Sequence, residues 1–202
     1  MSGPSPAKTQ THSTMASTVA ELSVLLNELA HRANYSCRQR RRTNIPPMLT
    51  ISREQLDSPI ALSLIDALNE ELTERYPEDG ANHFELNLEE VADGHGTFLV
   101  ASLDGEPAGC GALRVIEPGV AEIKRMFVPH GMRGRGIATA LLAGLEMAAH
   151  ELNVRRLVLE TGARQPEAIA LYRRAGFDFI TPFGEYVGSP LSVCMAKDIH
   201  AD

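Results

Sequence analysis

A mixed α/β domain is what this 202-residue sequence predicts over residues 48–202, and three observations lead there. Short apolar, β-branched runs flank the turn signals Asp104-Gly105 and Glu117-Pro118-Gly119, the mark of antiparallel hairpins. Two stretches, one opened by Ser58-Pro59 and one beginning at Ile137, carry apolar residues at helical spacing. Between a strand end and the second of these helices lies a run rich in glycine and arginine, residues 128–139.

The elements follow in order. Residues 1–15 are rich in Ser, Thr, Pro and Gln without periodicity and are expected to be disordered. Val19, Leu22, Leu25, Leu26 and Leu29 predict a short amphipathic helix over residues 17–33, with Ser17 or Thr18 as its cap. A basic cluster of Arg38, Arg40, Arg41 and Arg42 comes next, then Ile45-Pro46-Pro47 as an extended linker. Residues 1–47 are therefore expected to be a disordered or partly helical extension, dispensable to the domain, with Met48 a candidate second start.

Residues 49–51 read as the first strand. The helix after Ser58-Pro59 has Ile60, Leu62, Leu64, Ile65, Leu68 and Leu72 as its apolar positions and ends near Tyr76-Pro77. The polar stretch through Asn82-His83-Phe84 leaves room for a short helix, and residues 86–91 fit either element. Strands are predicted at 97–103, 107–116 and 121–128, then a helix at 137–152 that packs through Ile137, Leu141, Leu142, Leu145 and Met147. A strand at 156–160, a helix at 166–175 and strands at 177–181 and 191–197 complete the chain.

Composition narrows the function. No apolar run approaches the roughly 18–20 residues of a membrane span, and the N-terminus lacks the pattern of a secretory signal. A cytoplasmic protein with no membrane partner is expected. Cys37, Cys110 and Cys194 lie far apart with no zinc-like spacing, so no metal site is expected and the thiols read as buried or incidental. Residues 1–47 are basic, whereas the chain carries a net charge of −7. The acidic body argues against nucleic acid as a partner and suits a cationic amine.

Residues 128–139 carry the chemistry. Gly134 and Gly136 let backbone N–H groups approach an anion, the helix beginning near Ile137 offers unsatisfied N–H groups and a positive dipole end, and Arg133 and Arg135 add mobile positive charge. Arg133-x-x-Gly136-x-Ala138 resembles the acetyl-CoA pyrophosphate loop of the GNAT superfamily of N-acetyltransferases, written Gln/Arg-x-x-Gly-x-Gly/Ala. Further along, Ala168-x-x-Leu171-Tyr172-x-x-x-Gly176-Phe177 resembles the helix that follows the fifth strand of those enzymes.

The resemblance covers about residues 49–199 and implies a strongly bent, mixed, mostly antiparallel sheet with helices on both faces. It implies acetyl-CoA as acyl donor and a small amine or amino acid as acceptor, with a homodimer left open. Cofactor contacts are implied at Arg133, Gly134, Arg135, Gly136, Ile137, Ala138 and Thr139, and at Gln165, where the family often has Asn. The main chain of Met126, Phe127 and Val128 is expected to pair with pantetheine. Tyr172 is the candidate general acid for the departing thiolate, against a plain core tyrosine. Glu122 is the leading candidate base, against an exposed ion pair with Lys124 or Arg114, and Glu160 is the second candidate or the ligand of the substrate ammonium. Substrate selection is expected from residues 76–84, with His83 and Phe84, and from residues 183–190, with Tyr186.

Other readings remain open at the level of sequence. Gly134-Arg135-Gly136 before a helix, with Glu160 ending a strand, also fits a dinucleotide-binding βαβ unit, although Thr139 stands at the third glycine position. A non-catalytic acyl-CoA sensor would share the cofactor motif, and the basic extension could bind acidic partners or a membrane surface.

Overall fold

A computed structural model describes residues 46–78 and 86–199. The expected tail helix, Cys37, His83, Phe84 and the short helix near Asn82 lie outside the described residues. The chain runs β1 (Leu49–Arg53), α1 (Pro59–Arg75), a 3-10 turn (Leu88–Val91), β2 (Gly96–Leu103), β3 (Glu106–Glu117), β4 (Val120–Phe127), a 3-10 turn (His130–Met132), α2 (Ile137–Glu151), β5 (Arg156–Gly162), α3 (Pro166–Arg174), β6 (Asp178–Phe179), a 3-10 turn (Gly184–Tyr186) and β7 (Ser192–Asp198).

One seven-stranded sheet has the order β1-β2-β3-β4-β5-β7-β6. Every neighbouring pair is antiparallel except β4 and β5, whose parallel pairing follows from the crossover through α2. A sheet with one parallel pair is not the repeated βαβ unit that dinucleotide binding requires, and that alternative is set aside. Asp104 and Gly105 both have positive φ, 57° and 87°, as a two-residue hairpin of right-handed twist demands.

Alternation along the strands sorts the core onto two faces. On β2, Leu99 and Ala101 pack with Ile137, Leu141, Leu142 and Leu145 of α2, while Phe98 and Val100 pack with Ala61, Leu64 and Leu68 of α1. Helix α1 is fixed at its start by Pro59 and by the Ser58 hydroxyl, which accepts from the Ala61 N–H at 3.2 Å, a cap worth about 1 kcal/mol.

Several expectations need correction. Ile60 and Leu62 are exposed on α1, because its buried stripe runs through Ala61, Leu64 and Leu68. Met147 is 63% exposed, since α2 turns Ala148 and Ala149 inward instead. Strand β6 has two residues rather than five: Phe177 drops into the core ahead of it, and Ile180 makes the last bond to the β7 edge before Pro182. Residues 88–91 form a 3-10 turn held by a capping box between Asn87 and Glu90.

Two features of β4 create the space where function resides. Between the pairs Ala112↔Lys124 and Cys110↔Phe127, two residues of β4 oppose one of β3, a bulge in which Arg125 has φ of 56°. Left-handed backbone at such a residue costs about 1–2 kcal/mol. Pairing with β5 then stops at Ile123↔Leu159, although both strands continue. A notch opens between residues 124–128 and 160–162.

Candidate active site

Two cavities occupy this notch and share a wall. The first is lined by the end of β4, the loop after it and α3: Met126, Phe127, Val128, Arg133, Gly134, Gly136, Ala138, Thr139, Gln165 and Tyr172 all face it. Ten of the residues predicted from sequence to hold cofactor or do chemistry are thus brought together. Arg135 and Ile137 do not line it. Arg135 is exposed, its guanidinium donating to the Gly131 carbonyl, and the Ile137 side chain is buried in the core, leaving only its backbone for a ligand.

The loop geometry explains its glycines. Gly134 and Gly136 have φ of 75° and 79°, and a Cβ on either would meet nothing within 4 Å, so backbone conformation rather than crowding demands glycine. Gly136 is the N-cap of α2 and supplies no side-chain acceptor, so the first-turn N–H groups of α2 keep their capacity for an anion. Arg133 differs from expectation. Its Nε donates to the Val128 carbonyl at 2.9 Å and its NH2 to both Glu71 oxygens at 2.8 and 2.6 Å. Glu71 also pairs with Arg75 at 3.0 Å, and Arg75 with Glu167 at 2.5 Å. Arg133 is therefore a brace tying the loop to α1 and α3, not a mobile charge, and it engages one of the main-chain groups expected to serve pantetheine.

Gln165 is also engaged structurally. Its Oε1 accepts from the Gly162 N–H at 3.0 Å and from the Thr161 hydroxyl at 3.2 Å, closing the turn from β5 into α3. Gln165 nonetheless lines both cavities.

The second cavity lies deeper in the notch, against Tyr76 of the α1 C-terminus, Lys124, Arg125, Glu160, Thr161 and Tyr186. Tyr76 reaches it because Gly162 has no side chain: a Cβ there would sit 2.0 Å from the Tyr76 hydroxyl oxygen, which accepts from the Arg164 N–H at 2.8 Å. Arg125, Lys124, Thr161 and Glu71 were not singled out from sequence as site residues. The one signal was the adjacent pair Lys124-Arg125 inside an apolar strand, which breaks the alternation and so marks a bulge.

Tyr172 belongs to the wall common to both cavities, with Leu68, Met126, Gln165 and Ala168. The ring is part of the core, 5.7 Å from that of Phe177 at 59°. No described residue hydrogen-bonds its hydroxyl. Burial, reinforced by the charge of Glu160, pushes its pKa well above the usual phenol value, so it is a neutral donor at physiological pH.

Glu122 is 1% exposed rather than a solvated strand residue. Its Oε2 accepts from Arg114 Nε and NH2, both at 2.7 Å, and its Oε1 accepts from the Tyr186 hydroxyl at 2.7 Å. Lys124 pairs instead with Glu185, at 3.1 Å. Glu122 itself does not line the deeper cavity, whereas Tyr186 does.

Residues 62–177 match the profile described as the Acetyltransferase (GNAT) family. Over 154 residues the chain is 40% identical to the IAA acetyltransferase of Azospirillum brasilense, covering 76% of this chain and 99% of that protein. A Klebsiella pneumoniae structure described as an acyl-CoA N-acyltransferase superposes with a TM-score of 0.65 at 34% identity, covering 76% of this chain and 99% of that one. A GNAT acetyltransferase of Elizabethkingia anophelis with acetyl-CoA bound shares the fold at a TM-score of 0.54 and 19% identity, over 75% and 98% of the two chains. The chain belongs to the GNAT acetyltransferase family. It is an acyltransferase, and acetyl-CoA is the acyl donor of that family.

Proposed function

We propose that the protein moves the acetyl group of acetyl-CoA directly to a primary amine on a small acceptor, with no covalent enzyme intermediate. The observation that carries this reading is the shared wall: the loop-side cavity and the deeper cavity meet at Tyr172. Acetyl-CoA occupies the first, its pyrophosphate on the backbone of residues 134–139 and its pantetheine along residues 126–128. The amine enters the second, where Glu160 receives its ammonium group.

Before attack the ammonium must lose a proton, since its ordinary pKa is near 10. Tyr186 takes that proton on its hydroxyl oxygen as its own proton passes to Glu122, so that Glu122 ends neutral and the phenol is regenerated. The amine nitrogen then bonds to the thioester carbon, main-chain N–H groups near Val128 polarise the carbonyl, and the C–S bond breaks. Tyr172 protonates the leaving thiolate, and the second proton, shed by the nitrogen as the amide forms, returns to the Tyr172 oxygen so that the phenol is restored.

An amine panel with free-thiol detection tests the reading. It should include amino acids and simple amines, with IAA, which the name of the Azospirillum relative contains, as a comparison compound without a primary amine. Acceptor-dependent release of CoA is expected, with mass spectrometry finding one acetyl group on the acceptor. Acetyl-CoA binding without any acceptor-dependent release across the panel would sink it.

A further inference from the structure

Lys124 and Arg125 both line the deeper cavity, within the run of residues 123–126 that passes along it at the β4 bulge. Among the described residues, the other non-glycine positions with left-handed backbone are Asp104, in a hairpin turn, and Asn153, after α2. Both are residue types that tolerate this conformation, and both sit in connections. Arg125 is neither. Glycine is the natural occupant of a left-handed bulge position, so an arginine there points to a use for its side chain.

That side chain is buried, and its NH1 donates to the Asn69 amide oxygen of α1 at 3.1 Å. Burial disfavours the cation and pulls its pKa below the usual guanidinium value, a tendency an arriving anion reverses. Lys124 is anchored differently, to Glu185 and over the Tyr186 ring at 5.8 Å. Across the notch, β5 contributes the carboxylate of Glu160. The cavity therefore presents a cationic wall on β4 and an anionic one on β5, with Tyr172 beside both.

We propose that the acceptor is a primary amine that also carries a carboxylate, with Arg125 binding the carboxylate and Glu160 the ammonium. This rests on the deeper cavity being the acceptor site. A planar guanidinium offers paired N–H donors that match a carboxylate, which a lysine in the same place does not. Apolar Leu68, Leu72, Ile123 and Leu191 close the remaining walls, so the rest of the acceptor is compact.

The test uses the full chain with saturating acetyl-CoA and matched acceptor pairs: small L-amino acids and the same compounds with the carboxylate converted to a carboxamide. Arg125→Gly is the informative variant, because glycine accepts the left-handed backbone, and its thermal melt beside that of wild type checks that the fold is retained. Wild type should favour the carboxylates in kcat/KM by at least about tenfold, the scale of a charge-assisted hydrogen bond. In Arg125→Gly that preference should vanish through a rise in KM confined to the carboxylates. Calorimetry of the same amino acids against the CoA-loaded protein gives a readout independent of turnover. Arg125-dependent binding without any turnover would contradict the proposed acetyl transfer and leave the carboxylate site standing. Equal use of both partners of each pair by wild type, equal losses for both in the variant, or neither binding nor turnover of any amino acid would overturn the inference.

Discussion

The Tyr186 hydroxyl donates to Oε1 of Glu122 across 2.7 Å and so connects the deeper cavity to a carboxylate that does not face it. Burial, and then the charge and hydrogen bond of Glu122, raise the Tyr186 pKa beyond the ordinary phenol value. The phenol therefore stays protonated as pH rises through 10, and no alkaline loss of kcat from its ionisation is expected below that value. Tyr186→Phe should lower kcat by about 10- to 1000-fold, the range of general acid–base catalysis, with little change in acetyl-CoA affinity. In a cycle with Glu122→Gln, the double variant should be little worse than either single one, because the two residues act as one relay. Additive losses in kcat would separate them.

Arg133 and Glu71 are 62 residues apart in sequence and joined by two contacts, at 2.8 and 2.6 Å. If Arg133 braces the loop, Glu71→Gln should weaken acetyl-CoA binding even though that position adds no positive charge. A double-mutant cycle with Arg133→Gln should give a coupling of about 0.5–3 kcal/mol in the Kd for acetyl-CoA, as for residues in one network. Zero coupling would return Arg133 to the role of an independent phosphate ligand.

Burial pushes the Cys110 thiol up to about 12 and also raises Cys194. In a Cys37→Ser background, neither thiol should be alkylated at pH 8 in the native protein, and both should react in denaturant. Rapid native alkylation of either would contradict the packing around β3 and β7. The linkage sign follows: a thiol with raised folded pKa contributes stability fully present below its unfolded value near 8.5 and lost as pH climbs toward the folded one.

For Glu90, burial works upward, but the Asn87 N–H and Arg114 outweigh it and hold the carboxyl below its ordinary 4.5. Its contribution to stability is present above the unfolded value and disappears as pH falls through the lower folded one. Glu90→Gln should flatten the dependence of Tm on pH below about 4.5 and leave it unchanged near neutrality. An unaltered acid limb would show that other carboxylates set it.

The loop was legible in sequence because its chemistry is local: glycines at left-handed φ, placed directly before a helix, leave their signature within a few residues. The hairpin at Asp104-Gly105 was legible for the same reason. What eluded sequence were partnerships across long separations. Arg133 looked like a free charge because Glu71 is distant in the chain, and for Glu122 a solvated ion pair stayed open beside the base reading because Tyr186 lies 64 residues away. Arg125 was missed because its position depends on a bulge, which suspends strand alternation for one step and which sequence does not locate.

Tyr172 lies on the wall between the two cavities, and the proposed reaction brings acyl donor and amine together there. The most direct measurement is steady-state acceptor-dependent CoA release for wild type and Tyr172→Phe, with the Kd for acetyl-CoA determined in parallel. The expected result is a kcat lower by about 10- to 1000-fold in the variant, with that Kd unchanged. An unchanged kcat would remove Tyr172 from the chemistry and contradict the proposal that transfer takes place at the junction it occupies.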